Sequence, residues 1–224
     1  MVRGPGSVTA ALEVGVSAPI VSFRNPLYAG VQVGLPCPPP STVGGFLAST
    51  VGGWRRVPAA TRFAMTFIAR GSGIDLETYH PLDSRGAASD PVPKDREFLA
   101  AVTLTIWLTQ DLDLWERAFR RPVWPLRLGR SQDLASARTR RVELTAGPGS
   151  QRQALLPENL GKAGLVLRLP TAITEDRSRT RWDGYRYAAN GDAKERIDAD
   201  FVTEEGQAVA LLPPVHPDLI PVRS

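Results

Sequence analysis

The chain has 224 residues, of which 42% are hydrophobic, and a net charge of +4 with a sequence pI of about 9.6. That composition excludes a wholly disordered chain, and no apolar run approaches the roughly 20 residues of a membrane helix, so no membrane partner is expected. One cysteine, Cys37, excludes an intramolecular disulfide; with no secretory leader at the start, a cytoplasmic protein is expected.

Residues 12–20 alternate and predict a first strand, with Leu12, Val14 and Val16 on one face. Asn25-Pro26, Pro36, Pro38, Pro39 and Pro40 rule out regular structure between residues 25 and 40. Ser41 or Thr42 is then expected to cap a helix. Its apolar face carries Val43, Leu47, Thr50 and Trp54, and Gly52-Gly53 ends it. Residues 62–70 predict a second strand, with Phe63, Met65 and Phe67 on one side and Arg62, Thr66 and Arg70 on the other. Residues 99–109 predict a third, in which Val102, Leu104, Ile106 and Leu108 alternate with polar neighbours and Trp107. Between them, residues 71–98 are rich in Gly, Pro, Asp and Ser and read as a protruding arm.

Asp113 with Glu116 suggests a capping box for a helix whose stripe is Leu112, Trp115 and Phe119 and which Pro122 stops. Residues 124–128 suggest a short fourth strand. Strand, helix, strand, arm, strand, helix, strand is the ferredoxin-like order, which RNA-recognition domains use to bind nucleic acid on the sheet. The fold class expected is α+β. From residue 131 the pattern loosens. Candidate strands at 140–145, 163–169, 185–188 and 209–212, with loops at 151–162 and 173–181, suggest a small β-rich C-terminal region. The expected division is 1–135, with the insertion at about 71–98, and 136–224.

Only Lys94, Lys162 and Lys194 are lysines, so nearly all the positive charge is arginine, whose planar fork suits phosphate and stacks on bases. Four segments concentrate the chemistry. Ser22-Phe23-Arg24-Asn25 lies at the first strand's exit, where Arg24 could grip phosphate and Phe23 could stack on a base, or simply fill the core. Ser41, Thr42, Gly44 and Gly45 stand in a helix first turn. There the glycines favour either close approach of an anion to free amides or tight packing on the sheet. Arg127, Gly129, Arg130 and Ser131 follow the expected fourth strand. The arm carries Arg85, Lys94 and Arg96.

Enzymatic signals are thin. No nucleotide-binding or nucleophile-elbow motif occurs, and His80, His216 and Cys37 are too scattered for a metal site. No cofactor is expected. Metal-free RNA cleavage would have to draw on Tyr79, His80 and Lys94.

Ser22-Phe23-Arg24-x-Pro26, Pro39-Pro40-Ser41-Thr42-Val43-x-Gly45 and Leu128-Gly129-Arg130-Ser131 together resemble the fifth CRISPR-associated family. These are the small RAMP-type subunits of type I interference complexes. The similarity spans residues 12–135. The resemblance implies a ferredoxin-like domain whose thumb is residues 71–98, and binding of the 5′ handle of a CRISPR RNA. It implies contact with a large subunit and with the backbone RAMP subunits, and, through the complex, with target DNA near its PAM. One branch of that family cuts precursor RNA with a Tyr, a Lys and a His, the last two adjacent. No Lys-His pair occurs here, so the resemblance implies a subunit that holds RNA without cutting it.

Overall fold

The computed structural model describes residues 6–28, 33–79, 86, 90–191 and 193–221. Four long strands build the main sheet: β1 (Val8–Val21), β2 (Ala64–Tyr79), β3 (Val92–Leu108) and β4 (Ser136–Thr145). They stand in the order β4-β1-β3-β2 and every neighbouring pair is antiparallel. α1 (Pro40–Val51) joins β1 to β2, and α2 (Leu112–Arg120) joins β3 to β4. After β4 come the two-residue β5 (Gly149–Ser150) and β6 (Leu156–Pro157), the longer β7 (Leu165–Ile173) and β8 (Thr180–Tyr187), then β9 (Arg196–Ile197), β10 (Phe201–Val202) and β11 (Ala208–Val209). β10 and β11 extend the main sheet beyond β4, β6-β8-β7 form a second sheet, and β5 pairs with β9.

The expected alternations are present. Leu12, Val14 and Val16 of β1, Phe63 just before β2, Met65 and Phe67 within it, and Val102, Leu104, Ile106 and Leu108 of β3 are buried in one cluster. Val43, Phe46 and Leu47 of α1 and Trp115 and Phe119 of α2 belong to the same cluster, with Phe46 and Phe119 rings 5.9 Å apart. α1 also packs on β7, so the helix is covered by the C-terminal region as well as by the main sheet. Cys37 is completely buried there, and burial pushes its thiol far up from the ordinary cysteine value. No described helix is long and apolar enough to cross a membrane.

Three expectations are corrected. First, no hydroxyl caps α1: Pro39 stands at the N-cap position, Pro40 opens the helix, and Ser41 and Thr42 lie within the first turn. Proline suits that place because its φ is preset and it has no N–H to satisfy. Second, Asp113 and Glu116 make no capping box. Asp111, with φ 52°, precedes α2, and the two acids instead receive Arg141 of β4. Third, residues 124–128 are not a strand; the sheet's fourth strand is β4, so a division at 135 falls just before a strand of the main sheet. Val123 and Trp124 instead donate their amides to Thr50 and Ser49 at the end of α1. On β3, Trp107 faces the other side of the sheet. β10 and β11 cover it, in a second cluster with Ala11, Ala64, Leu144, Phe201 and Val209.

The arm's two limbs are strands. β2 and β3 pair in one register from Ala64↔Trp107 to Tyr79↔Val92, far past the body of the sheet. The ladder skips one row, where Arg70 and Pro19 flank Ala101 at φ 49°. Proline cannot donate to a ladder, so a break there is expected. Beyond it, Asp75↔Arg96 and Glu77↔Lys94 set opposite charges across the strands, an arrangement that favours pairing despite the polar composition.

Candidate nucleic-acid interface

The segment leaving β1 and the loop before β4 meet at one carboxylate. Asp133 is 4% exposed. Its Oδ2 accepts the Ser22 amide at 3.2 Å and the Arg130 amide at 2.9 Å. The Arg130 guanidinium closes on the same group at 2.9–3.0 Å. Gly129 makes this clasp possible. Its φ is +104°, and a Cβ there would lie 2.8 Å from the Ser22 carbonyl oxygen and 3.0 Å from Asp133 Oδ2. Only glycine reaches that φ without strain and lets two backbones approach so closely. The Leu128 amide donates to the Asp133 carbonyl, and Arg127 forms a bridge with Leu134. Ser131 sits exposed at the turn of this loop.

The other side of the junction is tied to β3 near the arm's root. Ser22 Oγ donates to the Glu97 carbonyl at 2.7 Å, and the Glu97 carboxylate accepts the Gly34 amide at 2.8 Å. Arg24 bridges Gly34 and its side chain is exposed. Asn25 stabilises its own turn, its side-chain oxygen accepting the Leu27 amide. Phe23 is buried with its ring 5.8 Å from that of Phe67, so it fills the core and offers no face to a base. A cleft of about 600 Å³ opens beside it, lined by Ser22, Gly34, Pro36, Ile74, Phe98 and Leu165 among others.

Three arginines converge here. Arg96 of β3 is 8% exposed and forms an ion pair with Glu77. Its burial, then the charge of Arg130, lowers its pKa from the ordinary arginine value; Asp75 and Asp133 oppose this, and Arg24 adds to it. Arg96 thus feels the charge of both Arg130 and Arg24, and Asp133 is the acid that joins the β1 exit to the loop before β4.

The first turn of α1 looks different. Pro40 has no amide proton, and the Thr42 and Val43 amides both donate to the Pro39 carbonyl, leaving little of a donor array for an anion. Gly44 is buried, and a Cβ there would lie 2.6 Å from Val215 Cγ2 and 2.8 Å from the Trp54 ring. Its glycine therefore serves packing. A Cβ added at Gly45 would meet nothing within 4 Å. Gly44→Ala is expected to lose about 1–3 kcal/mol of stability through overpacking. Gly45→Ala should be neutral or gain about 0.5–1 kcal/mol from helix propensity. Thermal unfolding of the two variants checks the contrast.

The structure thus joins Ser22, Arg24, Gly129 and Arg130, and separates Ser41, Thr42, Gly44 and Gly45 into a packed helix start. His80 lies outside the described residues. Tyr79 pairs with Val92 in backbone register, while Lys94 stands opposite Glu77. No cluster of metal-ligating side chains occurs among the described residues. Sequence reasoning placed Arg96 in the arm and missed the roles of Asp133 and Glu97. The spacing Arg130-x-x-Asp133 was the available signal for the first; nothing local marked Glu97.

The family model described as "CRISPR-associated protein (Cas_Cas5)" matches residues 11–207. No curated protein matches the sequence. Among solved structures, the fold is similar to a chain of a CRISPR RNA-guided surveillance complex, with a TM-score of 0.56 and 17% identity over 93% of this chain and 92% of that one. It is similar to a CRISPR protein from Archaeoglobus fulgidus, with a TM-score of 0.51 and 14% identity over 91% and 99% of the two chains. A chain of the type III-B Cmr-beta complex bound to cognate target RNA gives 0.51 and 10% over 83% and 85%. At such identities the likeness is one of fold.

Proposed function

The chain belongs to the CRISPR-associated protein (Cas_Cas5) family, and from that membership we propose that it holds the 5′ handle of a CRISPR RNA within a type I interference complex. The observation that carries the reading is the Asp133 clasp, which brings Ser22, Gly129 and Arg130 into one junction beside Arg24 and Arg96. The β4-β1-β3-β2 order supports reading the main sheet as a ferredoxin-like core. The extended β2–β3 ladder fits a thumb on that core. The partners in this reading are the handle, the large subunit, the backbone RAMP subunits and, through the complex, target DNA near its PAM.

The chain holds RNA without cutting it in this reading. Two features favour that: the absence of a Lys-His pair in the sequence, and a Lys94 whose register partner is the acidic Glu77. Handle-containing RNA is expected to bind the chain or its complex with an affinity that falls as salt rises, by about 0.7 in log–log slope per phosphate neutralised. Salt-independent or absent binding would overturn the proposal. Precursor RNA incubated with the chain in EDTA should remain intact; cleavage abolished by His80→Ala would instead establish a metal-free nuclease.

A further inference from the structure

A second basic surface lies where the C-terminal ends of the two helices meet. Gly52, at φ +87°, ends α1, and Gly53 follows at φ +118°. Beyond α2, the Val123 and Trp124 amides return to the carbonyls of Thr50 and Ser49 at 3.0 and 3.2 Å. This holds the Trp124 ring beside Gly53, where a Cβ would meet it at 3.6 Å, and Val123 beside Gly52. Yet Trp124 is 51% exposed and Val123 53%.

Arg55 and Arg56, in the short 3-10 turn Trp54–Arg56, follow Gly53, and Arg117, Arg120 and Arg121 precede Val123. All five are exposed. None pairs with a carboxylate among the described residues; Arg56 and Arg117 reach only the carbonyls of Val51 and Asp113. The sequence explains why. No acid occurs between Glu13 and Asp75, nor between Glu116 and Asp133. The dipole of α2 accounts for arginines in its last turn. It does not account for a half-exposed tryptophan set among them.

We propose that this surface takes a single-stranded nucleic-acid segment, with one base stacked on Trp124 and its phosphates gripped by Arg55 and Arg56 on one side and Arg120 and Arg121 on the other. Indole stacking is tolerant of base identity, and the guanidinium fork fits phosphate. An acidic protein would satisfy the charge. However, Val123 and Trp124 alone supply far less apolar surface than the centre of a stable protein interface requires. The site shares none of the residues of the Asp133 junction, so it goes beyond the handle-binding reading and stands or falls separately.

The test uses the full chain carrying Arg24→Ala, to weaken the first interface, and a fluorescent oligo-U of about twelve nucleotides that lacks any handle sequence. Adding Trp124→Ala is expected to weaken binding roughly tenfold, and Trp124→Phe to restore most of it. Arg120→Ala with Arg121→Ala should reduce the salt slope by about 0.7 for each phosphate lost. Unchanged affinity in Trp124→Ala overturns the proposal. So does a polyglutamate peptide that binds in a Trp124-dependent manner while oligo-U does not, which would assign the surface to an acidic protein. Should Trp124→Ala fail to fold by circular dichroism, the arginine pair decides: an unchanged slope overturns the proposal.

Discussion

Asp133→Ala is expected to lower the unfolding free energy by about 3–5 kcal/mol, the cost of breaking a buried ion pair by removing one partner. The side chain is 3% exposed and accepts hydrogen bonds from the Ser22 amide, the Arg130 amide and Arg130 Nε, with Arg130 Nη2 2.9 Å away in the ion pair. Alanine leaves the buried Ser22 amide without an acceptor and the Arg130 cation, only 18% exposed, without a counter-charge. Each unsatisfied buried donor costs about 1–3 kcal/mol, more when charged. Asp133→Asn keeps one carbonyl-type acceptor and should fall between the two. Urea unfolding measures the difference through the shift in midpoint at constant slope. A loss under about 1 kcal/mol would mean that the backbone bond between Leu128 and Asp133 holds the loop by itself.

The main sheet was legible where apolar residues alternate cleanly. β1, β2 and β3, with Phe63 just before β2, bury Leu12, Val14, Val16, Phe63, Met65, Phe67, Val102, Leu104 and Ile106 on the helical side, as their period demands. Of β4 only the half at 140–145 was read as a strand, and it was assigned to the C-terminal region, because its pattern carries little hydrophobic contrast: Arg138, Arg140 and Arg141 interrupt it, and only Leu144 is buried. β4 is specified by its neighbours. It pairs with β1 over ten rows from Val8↔Thr145 to Ser17↔Ser136, and Arg140 and Arg141 reach Glu13, Asp113 and Glu116. Such ion pairs between distant segments leave no local trace. The covering of Trp107 by β10 and β11 is equally non-local, since two-residue strands have no period to read.

At the candidate site, residue types were legible and their roles were not. The sequence singled out Arg24, Gly129 and Arg130, which the fold brings together. It left Phe23 as either a stacking ring or a core residue, and the core reading holds: the ring, two residues past a buried strand end, packs inward on Phe67. It left Gly44 as either part of an anion cradle or a packing glycine, and packing decides: the neighbours that demand glycine there are Val215, near the far end of the chain, and Trp54, in the turn after α1. Arg96 lies in the arm by sequence and beside Arg24 and Arg130 in space, because β1 ends at Val21↔Leu99, where the arm's part of the β2–β3 ladder starts.

That convergence gives Arg24 and Arg130 different expected behaviour, although both are arginines at one interface. Arg130 is clasped by Asp133, so Arg130→Ala removes structure as well as charge. Arg24 is exposed, its strand-like bridge to Gly34 is made by backbone, and no carboxylate pairs with it among the described residues. Arg24→Ala should therefore change stability by less than about 0.5 kcal/mol, the usual range for a surface substitution. It should nonetheless weaken handle-RNA binding roughly tenfold at low salt and reduce the log–log salt slope by about 0.7, one phosphate contact. Arg130→Ala should lose both stability and affinity. Filter binding across a salt series, beside a urea curve for each variant, separates the two. If Arg24→Ala left affinity and slope unchanged, the phosphates would have to be held elsewhere, and the arginines around Trp124 would be the next surface to mutate.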